Sequence, residues 1–122
     1  MESPLQGLSI LVVEDEPLIA MDIAETFRDA GAEITITNTK RHALILAEHD
    51  GLSSAILDHA LKDGDSSALY EMLNKRGIPF MIYSGYEKRP DPACKDAPYL
   101  SKPATRMDLV AMMKTLMDRD SF

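Results

Sequence analysis

Short apolar runs alternate along the chain with segments whose apolar residues recur at helical spacing. The first run, Leu8-Ser9-Ile10-Leu11-Val12-Val13, is rich in β-branched residues and is closed by Glu14-Asp15-Glu16. Pro17 follows, suited to the first turn of a helix because the N–H it lacks would find no intrahelical partner there. Ile19, Ile23 and Phe27 then recur at i, i+4 and i+8 beside Ala20 and Ala24, which predicts one apolar helix face. Gly31 supplies the C-terminal stop. The unit repeats: Ile34-Thr35-Ile36-Thr37 reads as a strand, Asn38 or Thr39 as the cap of a helix carrying Ala43, Leu46 and Ala47, and Gly51 as its end. Ala55-Ile56-Leu57 is the third strand, cut off by Asp58, and a polar loop with Asp63-Gly64-Asp65 leads to a helix carrying Leu69, Met72 and Leu73, stopped by Gly77. Phe80-Met81-Ile82-Tyr83 is the fourth strand, ending at Ser84-Gly85, and Tyr99-Leu100 a short fifth, ending at Ser101-Lys102-Pro103. Thr105 and Asp108 form a capping pattern before Leu109, Met112, Met113 and Leu116.

Only residues 86–98 break the rhythm. They hold Pro90, Pro92 and Pro98 and show no helical period, so a very short helix or an irregular loop is expected where the alternation calls for a helix. Five apolar strands alternating with helices predict an α/β fold: a doubly wound, five-stranded parallel sheet covered on both faces, its fourth helix short or irregular. Right-handed crossovers put every strand's C-terminal end on one edge, where such sheets bind ligands.

Composition narrows the function classes. A chain of 122 residues suits one domain, taken as residues 1–122, and 45% hydrophobic with 27% charged residues is the balance of a globular protein. The net charge of −7 disfavours phosphate backbones and anionic lipid, so no direct nucleic-acid partner is expected. No apolar run approaches the roughly 18 residues of a membrane span, and the start lacks a secretory signal, so no membrane insertion is expected. The single Cys94 points to a reducing compartment, hence a cytoplasmic protein.

The candidate chemistry stands at the strand ends: Glu14-Asp15-Glu16 after the first, Asp58 after the third, Ser84 after the fourth and Lys102 after the fifth. Polar residues are common where chains turn, and no single one of these is informative. Gathered on one edge, the carboxylates suit a divalent cation held by oxygens, and Mg²⁺ fits best because it takes few carboxylates and keeps several waters.

Leu11-Val12-Val13-Glu14-Asp15-Glu16-Pro17, Ala55-Ile56-Leu57-Asp58, Ser84-Gly85 and Tyr99-Leu100-Ser101-Lys102-Pro103 together resemble the receiver domain of bacterial two-component response regulators, in the family's order and over nearly the whole chain. The resemblance implies a flavodoxin-like fold and Mg²⁺-dependent phosphorylation of an aspartate, with a sensor histidine kinase or a histidine phosphotransfer protein as donor. Carried over by position, Asp58 would be the phosphoacceptor, and Glu14, Asp15, Asp58 and the Ala60 carbonyl the metal ligands. Ser84 and Lys102 would contact the phosphoryl group, and Ser84 and Tyr99 would form the switch. Lys102-Pro103 matches a bond usually cis in the family. Such a domain is no enzyme in the ordinary sense; it catalyses its own phosphorylation and loses the group slowly, and it would signal to an output protein that the sequence does not identify.

Two departures stand out. Lys62 occupies a loop position where the family usually has proline, which leaves the loop geometry less fixed. The interval from Ser84 to Lys102 is shorter than usual by about one helical turn. Pro79-Phe80-Met81-Ile82-Tyr83-Ser84-Gly85-Tyr86 also resembles the Pro-Phe-x-Phe-Ala-Thr-Gly-Tyr motif of a stand-alone receiver subfamily from alphaproteobacteria.

Other features read blandly. His42, His49 and His59 lack metal-ligand spacing, Met112 and Met113 belong to a core face, and Cys94 is an incidental exposed thiol. Residues 1–5 are expected to fray. Three rivals fit less well. A pseudo-receiver would not need Asp58, Asp15, Ser84 and Lys102 intact. An aspartyl phosphohydrolase would carry a second Asp where Ala60 stands, as its acid/base. A flavodoxin would end its first strand in a phosphate-cradling loop rather than acids. With no effector expected after the last helix, a single-domain regulator is the reading the sequence favours.

Overall fold

Strands that are apolar on both sides must be covered on both sides, and the helices supply that cover. The computed structural model describes residues 3–58, 60–61, 64–85 and 97–120. In chain order the elements are β1 (Ser9–Val13), α1 (Pro17–Asp29), β2 (Glu33–Thr37), α2 (Lys40–Leu46), β3 (Ser54–Leu57), β4 (Ala60–Leu61), β5 (Gly64–Asp65), α3 (Ser67–Lys75), β6 (Phe80–Ser84), β7 (Tyr99–Ser101) and α4 (Arg106–Asp120). Five strands form one parallel sheet in the order β2-β1-β3-β6-β7, the doubly wound flavodoxin-like arrangement expected. The chain leaves β1 toward β2 and returns on its other side to β3, so the strand order reverses between β1 and β3.

Alternation along the strands feeds two cores. Leu11, Val13, Ala55, Leu57, Phe80 and Ile82 face α2 and α3, where Tyr70 stacks on Phe80 at 5.4 Å between ring centroids. Ile10, Val12, Ile56, Met81 and Tyr83 face α1 and α4 and meet Ile23, Phe27, Leu109, Met113 and Leu116. The expected punctuation is in place. Pro17 opens α1, the His42 N–H donates to Thr39 Oγ1 at 3.2 Å, and the Asp108 N–H donates to Thr105 Oγ1 at 3.0 Å. Arg106 at the start of α4 reaches Asp22, Glu25 and Asp29 on α1 at 3.0–3.6 Å, an exposed clamp of small energetic weight.

Three expectations meet a different or partial picture. Asp63-Gly64-Asp65 was expected in a plain polar loop, but the chain pairs β4 with β5 as a small antiparallel hairpin, Ala60 opposite Asp65 and Leu61 opposite Gly64. Two-residue strands are too short to show an alternation. Of residues 86–98 only Ala97 and Pro98 are described. The short or irregular fourth helix therefore lies outside the described residues, as do Lys88, Arg89, Cys94 and Lys95, and likewise His59, Lys62 and Asp63.

Residues 1–5 were expected to fray, yet Leu5 is only 1% exposed and its N–H donates to the Ala30 carbonyl at 2.8 Å. A lone leucine beside proline carries no periodicity, so its burial had no signature. The turn it anchors lies against Gly31, whose φ of +102° suits glycine and where a Cβ would come within 2.6 Å of the Ser3 Cβ. Leu5→Ala is expected to lower stability by about 3 kcal/mol, as for other buried leucines, measured by urea unfolding. An unchanged midpoint would mean that this turn is not docked in solution.

Candidate functional site

Parallel register brings the acids together. Val13 pairs with Leu57, and the Asp58 N–H continues the ladder by donating to the Val13 carbonyl at 3.0 Å, so Glu14 and Asp58 emerge side by side where the strand order reverses. Glu14 and Asp58 are buried and Asp15 is half-buried, and each offers a carboxylate oxygen within 4.8 Å of the others. On the far side, the Lys102 N–H donates to the Ser84 carbonyl at 2.9 Å, which fixes the start of the turn after β7. The Lys102 side chain returns over the sheet edge, and its Nζ donates to Glu14 Oε1 at 2.5 Å and to Asp58 Oδ2 at 3.2 Å.

The electrostatics follow from this crowding. Burial pushes the Glu14 carboxyl above the ordinary glutamate range. The hydrogen bonds from Lys102 and from the Glu16 N–H, the latter 3.1 Å from Oε2, only partly oppose that, and the Asp58 charge adds to it. Burial works against the Lys102 ammonium. The hydrogen bond to Glu14 and the charges of Asp58 and Glu14 together outweigh it, so its pKa lies above the ordinary lysine value. The donor set consists of hard carboxylate oxygens carrying more negative charge than one ammonium balances, which fits a small divalent cation such as Mg²⁺.

The expected residues are thus only partly gathered by side-chain contact. Lys102 bonds Glu14 and Asp58 directly, and Asp15 places a carboxylate oxygen within 4.8 Å of theirs. Ser84 is fully buried at the end of β6, two residues past the Leu57–Ile82 pair, and so lies on the same sheet edge beside Asp58. Ala60 opens β4, two residues beyond Asp58. Tyr99 lies on the edge strand β7, half-buried against the α2/α3 core. The Lys102–Pro103 bond is cis, as the resemblance implies.

Two residues were missed. Tyr83 is buried, its hydroxyl accepts the Ala104 N–H at 3.0 Å, and its ring centroid lies 5.7 Å from Lys102 Nζ, so it holds the turn that carries the lysine. A tyrosine closing an apolar strand next to Ser84 was the available signal. Ser66 is also fully buried, and its hydroxyl donates to the Asp58 carbonyl at 2.8 Å. Nothing in a Ser-Ser pair before a helix distinguishes that use from a helix cap.

No protein-family model matches the chain. It is 31% identical over 116 residues to the transcriptional regulatory protein PdtaR of Mycobacterium tuberculosis, covering 90% of this chain and 57% of that one. It is 32% identical over 94 residues to the phyllosphere-induced regulator PhyR of Methylorubrum extorquens, covering 69% of this chain and 35% of that one. The chain therefore spans between about a third and somewhat over half of these relatives. A CheY-like response regulator receiver domain protein from Methanospirillum hungatei JF-1 superposes with a TM-score of 0.84 at 25% identity, covering 93% of this chain and 96% of that one.

The lysine bridge makes a test by double-mutant cycle. At pH 7.5, Lys102→Met is expected to cost about 2–3 kcal/mol because it leaves two buried carboxylates facing each other; the lysine side chain is 17% exposed, which keeps the figure low in the range for broken buried pairs. In a Glu14→Gln background the same change is expected to cost less by about 1–3 kcal/mol, read from urea unfolding. Strict additivity would mean that the bridge is not formed in solution.

Proposed function

Since the chain belongs to the receiver domains of response regulators, we propose that it accepts a phosphoryl group on Asp58 from a sensor histidine kinase or a histidine phosphotransfer protein and thereby changes its binding to an output protein. The observation that carries this reading is the buried Asp58, whose carboxylate lies 3.2 Å from the Lys102 ammonium and within 4.8 Å of the Glu14 and Asp15 oxygens. A carboxylate oxygen of Asp58 attacks phosphorus while the donor's P–N bond breaks and its nitrogen keeps the electron pair, which gives an acyl phosphate. Transfer of this kind asks the protein for positioning and charge neutralisation more than for covalent chemistry.

Glu14, Asp15, Asp58 and the Ala60 carbonyl would hold Mg²⁺, which when bound offsets charge on the transferring group. Lys102 pairs with the phosphoryl charge and the Ser84 hydroxyl donates to a phosphoryl oxygen. Tyr99, on the adjoining strand, passes the change to the outer edge of the sheet. Loss of the phosphoryl group is slow, because Ala60 offers no acid or base to activate water. The acidic chain acts through a protein partner rather than through DNA, in the cytoplasm; no helix among the described residues is long and apolar enough to cross a membrane.

Acetyl phosphate with Mg²⁺ is expected to add one phosphoryl group to the wild type and none to Asp58→Asn, read by intact-protein mass spectrometry. Equal labelling of the two would end this reading. Millimolar Mg²⁺ is also expected to raise the melting temperature of the wild type, since a ligand that binds only the folded state stabilises it. Asp15→Asn should lose most of that shift, and a wild-type melting temperature that ignores Mg²⁺ would remove the metal from the scheme.

A further inference from the structure

The loop between β3 and α3 carries both Asp58 and Ala60, and it must be held for either to be useful. Lys62 gives it no fixed backbone torsion. Three restraints are present. The β4–β5 pairing closes the loop on itself, and the buried Leu61 anchors it in the core beside Leu69 and Tyr70. The third and closest restraint is Ser66. Its carbonyl accepts the Tyr70 N–H at 3.0 Å and so begins the hydrogen-bond ladder of α3, while its hydroxyl donates to the Asp58 carbonyl at 2.8 Å, eight residues back.

Ser66 stands at the position before α3 where a serine oxygen ordinarily accepts an N–H of the first helical turn. Here its side chain makes no such cap, and its proton goes to the peptide of Asp58 instead. The helix forgoes that contribution, and the Asp58 peptide gains a buried hydrogen bond. We infer that Ser66 is a positioning residue for Asp58: its hydroxyl ties the phosphoacceptor peptide to the rigid start of α3 and so sets the carboxylate and the Ala60 carbonyl for metal and phosphoryl group. This rests on the phosphoacceptor reading of Asp58 and deepens it. Groups that orient a ligand from behind commonly matter by about 10–100-fold in metal affinity or activity.

The test compares wild type, Ser66→Ala, Ser66→Gly and Ser66→Thr by three readouts: urea unfolding without metal, Mg²⁺ affinity by calorimetric titration, and the rate of labelling by acetyl phosphate at saturating Mg²⁺. Ser66→Ala and Ser66→Gly are expected to bind Mg²⁺ about tenfold more weakly and to label about tenfold more slowly, and Ser66→Thr, which keeps the hydroxyl, to recover both. Variants that lose stability yet keep wild-type Mg²⁺ affinity and labelling rate would make the bond merely structural and overturn the inference. A Ser66→Thr that folds but behaves as Ser66→Ala would also overturn it. If Ser66→Thr does not fold, Ser66→Ala and Ser66→Gly decide the matter between them. A wild type that neither binds Mg²⁺ nor labels would instead overturn the phosphoacceptor reading, and this inference with it.

Discussion

One ammonium makes this site possible. The register of β1 with β3 places Glu14 and Asp58 side by side and largely buried, and two buried carboxylates in that position would repel each other strongly. Lys102 Nζ bonds to both. The lysine is itself held from two directions: its N–H is fixed on the Ser84 carbonyl, and Tyr83 supplies a ring beneath the ammonium and a hydroxyl for the Ala104 N–H that follows. The ends of four parallel strands thus meet around one ammonium.

That dependence explains why the sheet edge, not the core, is where this fold carries chemistry. The two cores rest on alternation in strands that any β-branched or aliphatic set would satisfy. The acids need the reversal of strand order between β1 and β3, because there two strand ends lie adjacent without one running directly through a crossover into the other. Ser66 extends the same logic to the loop, where the α3 start is joined to the Asp58 peptide rather than capped.

The order of strands and helices was legible because β1, β3 and β6 are apolar runs, β2 alternates isoleucine with threonine, and the helices carry periodic faces. The four side chains that meet at the site were legible for a related reason: each follows an apolar run, and topology sends all strand ends to one edge. What escaped was long-range and local in small units. Leu5 is buried by contact with the end of α1, which no neighbouring residue announces. The β4–β5 hairpin is too short to pattern. Ser66 and Tyr83 make hydrogen bonds to backbone atoms eight and 21 residues away, and side-chain-to-backbone bonds at such range leave no spacing to read.

Charge arithmetic ties the site to a response. Three carboxylates and one ammonium leave two negative charges, which one divalent cation would cancel. On the proposed chemistry, Asp58 loses its own charge on forming the acyl phosphate while the phosphoryl group brings about −1.5 to −2, so the site becomes more negative by up to about one charge. Among the described residues, the cation bonded at the site is Lys102, already shared with Glu14, and the buried Ser84 stands on the neighbouring strand end. Both residues sit where β6 and β7 turn away from the edge, and Lys102 is fastened to the Ser84 carbonyl. On that proposal a shift of either toward the new charge would move the β6–β7 side of the sheet, including Tyr99, and that differential contact would be what a two-state output requires.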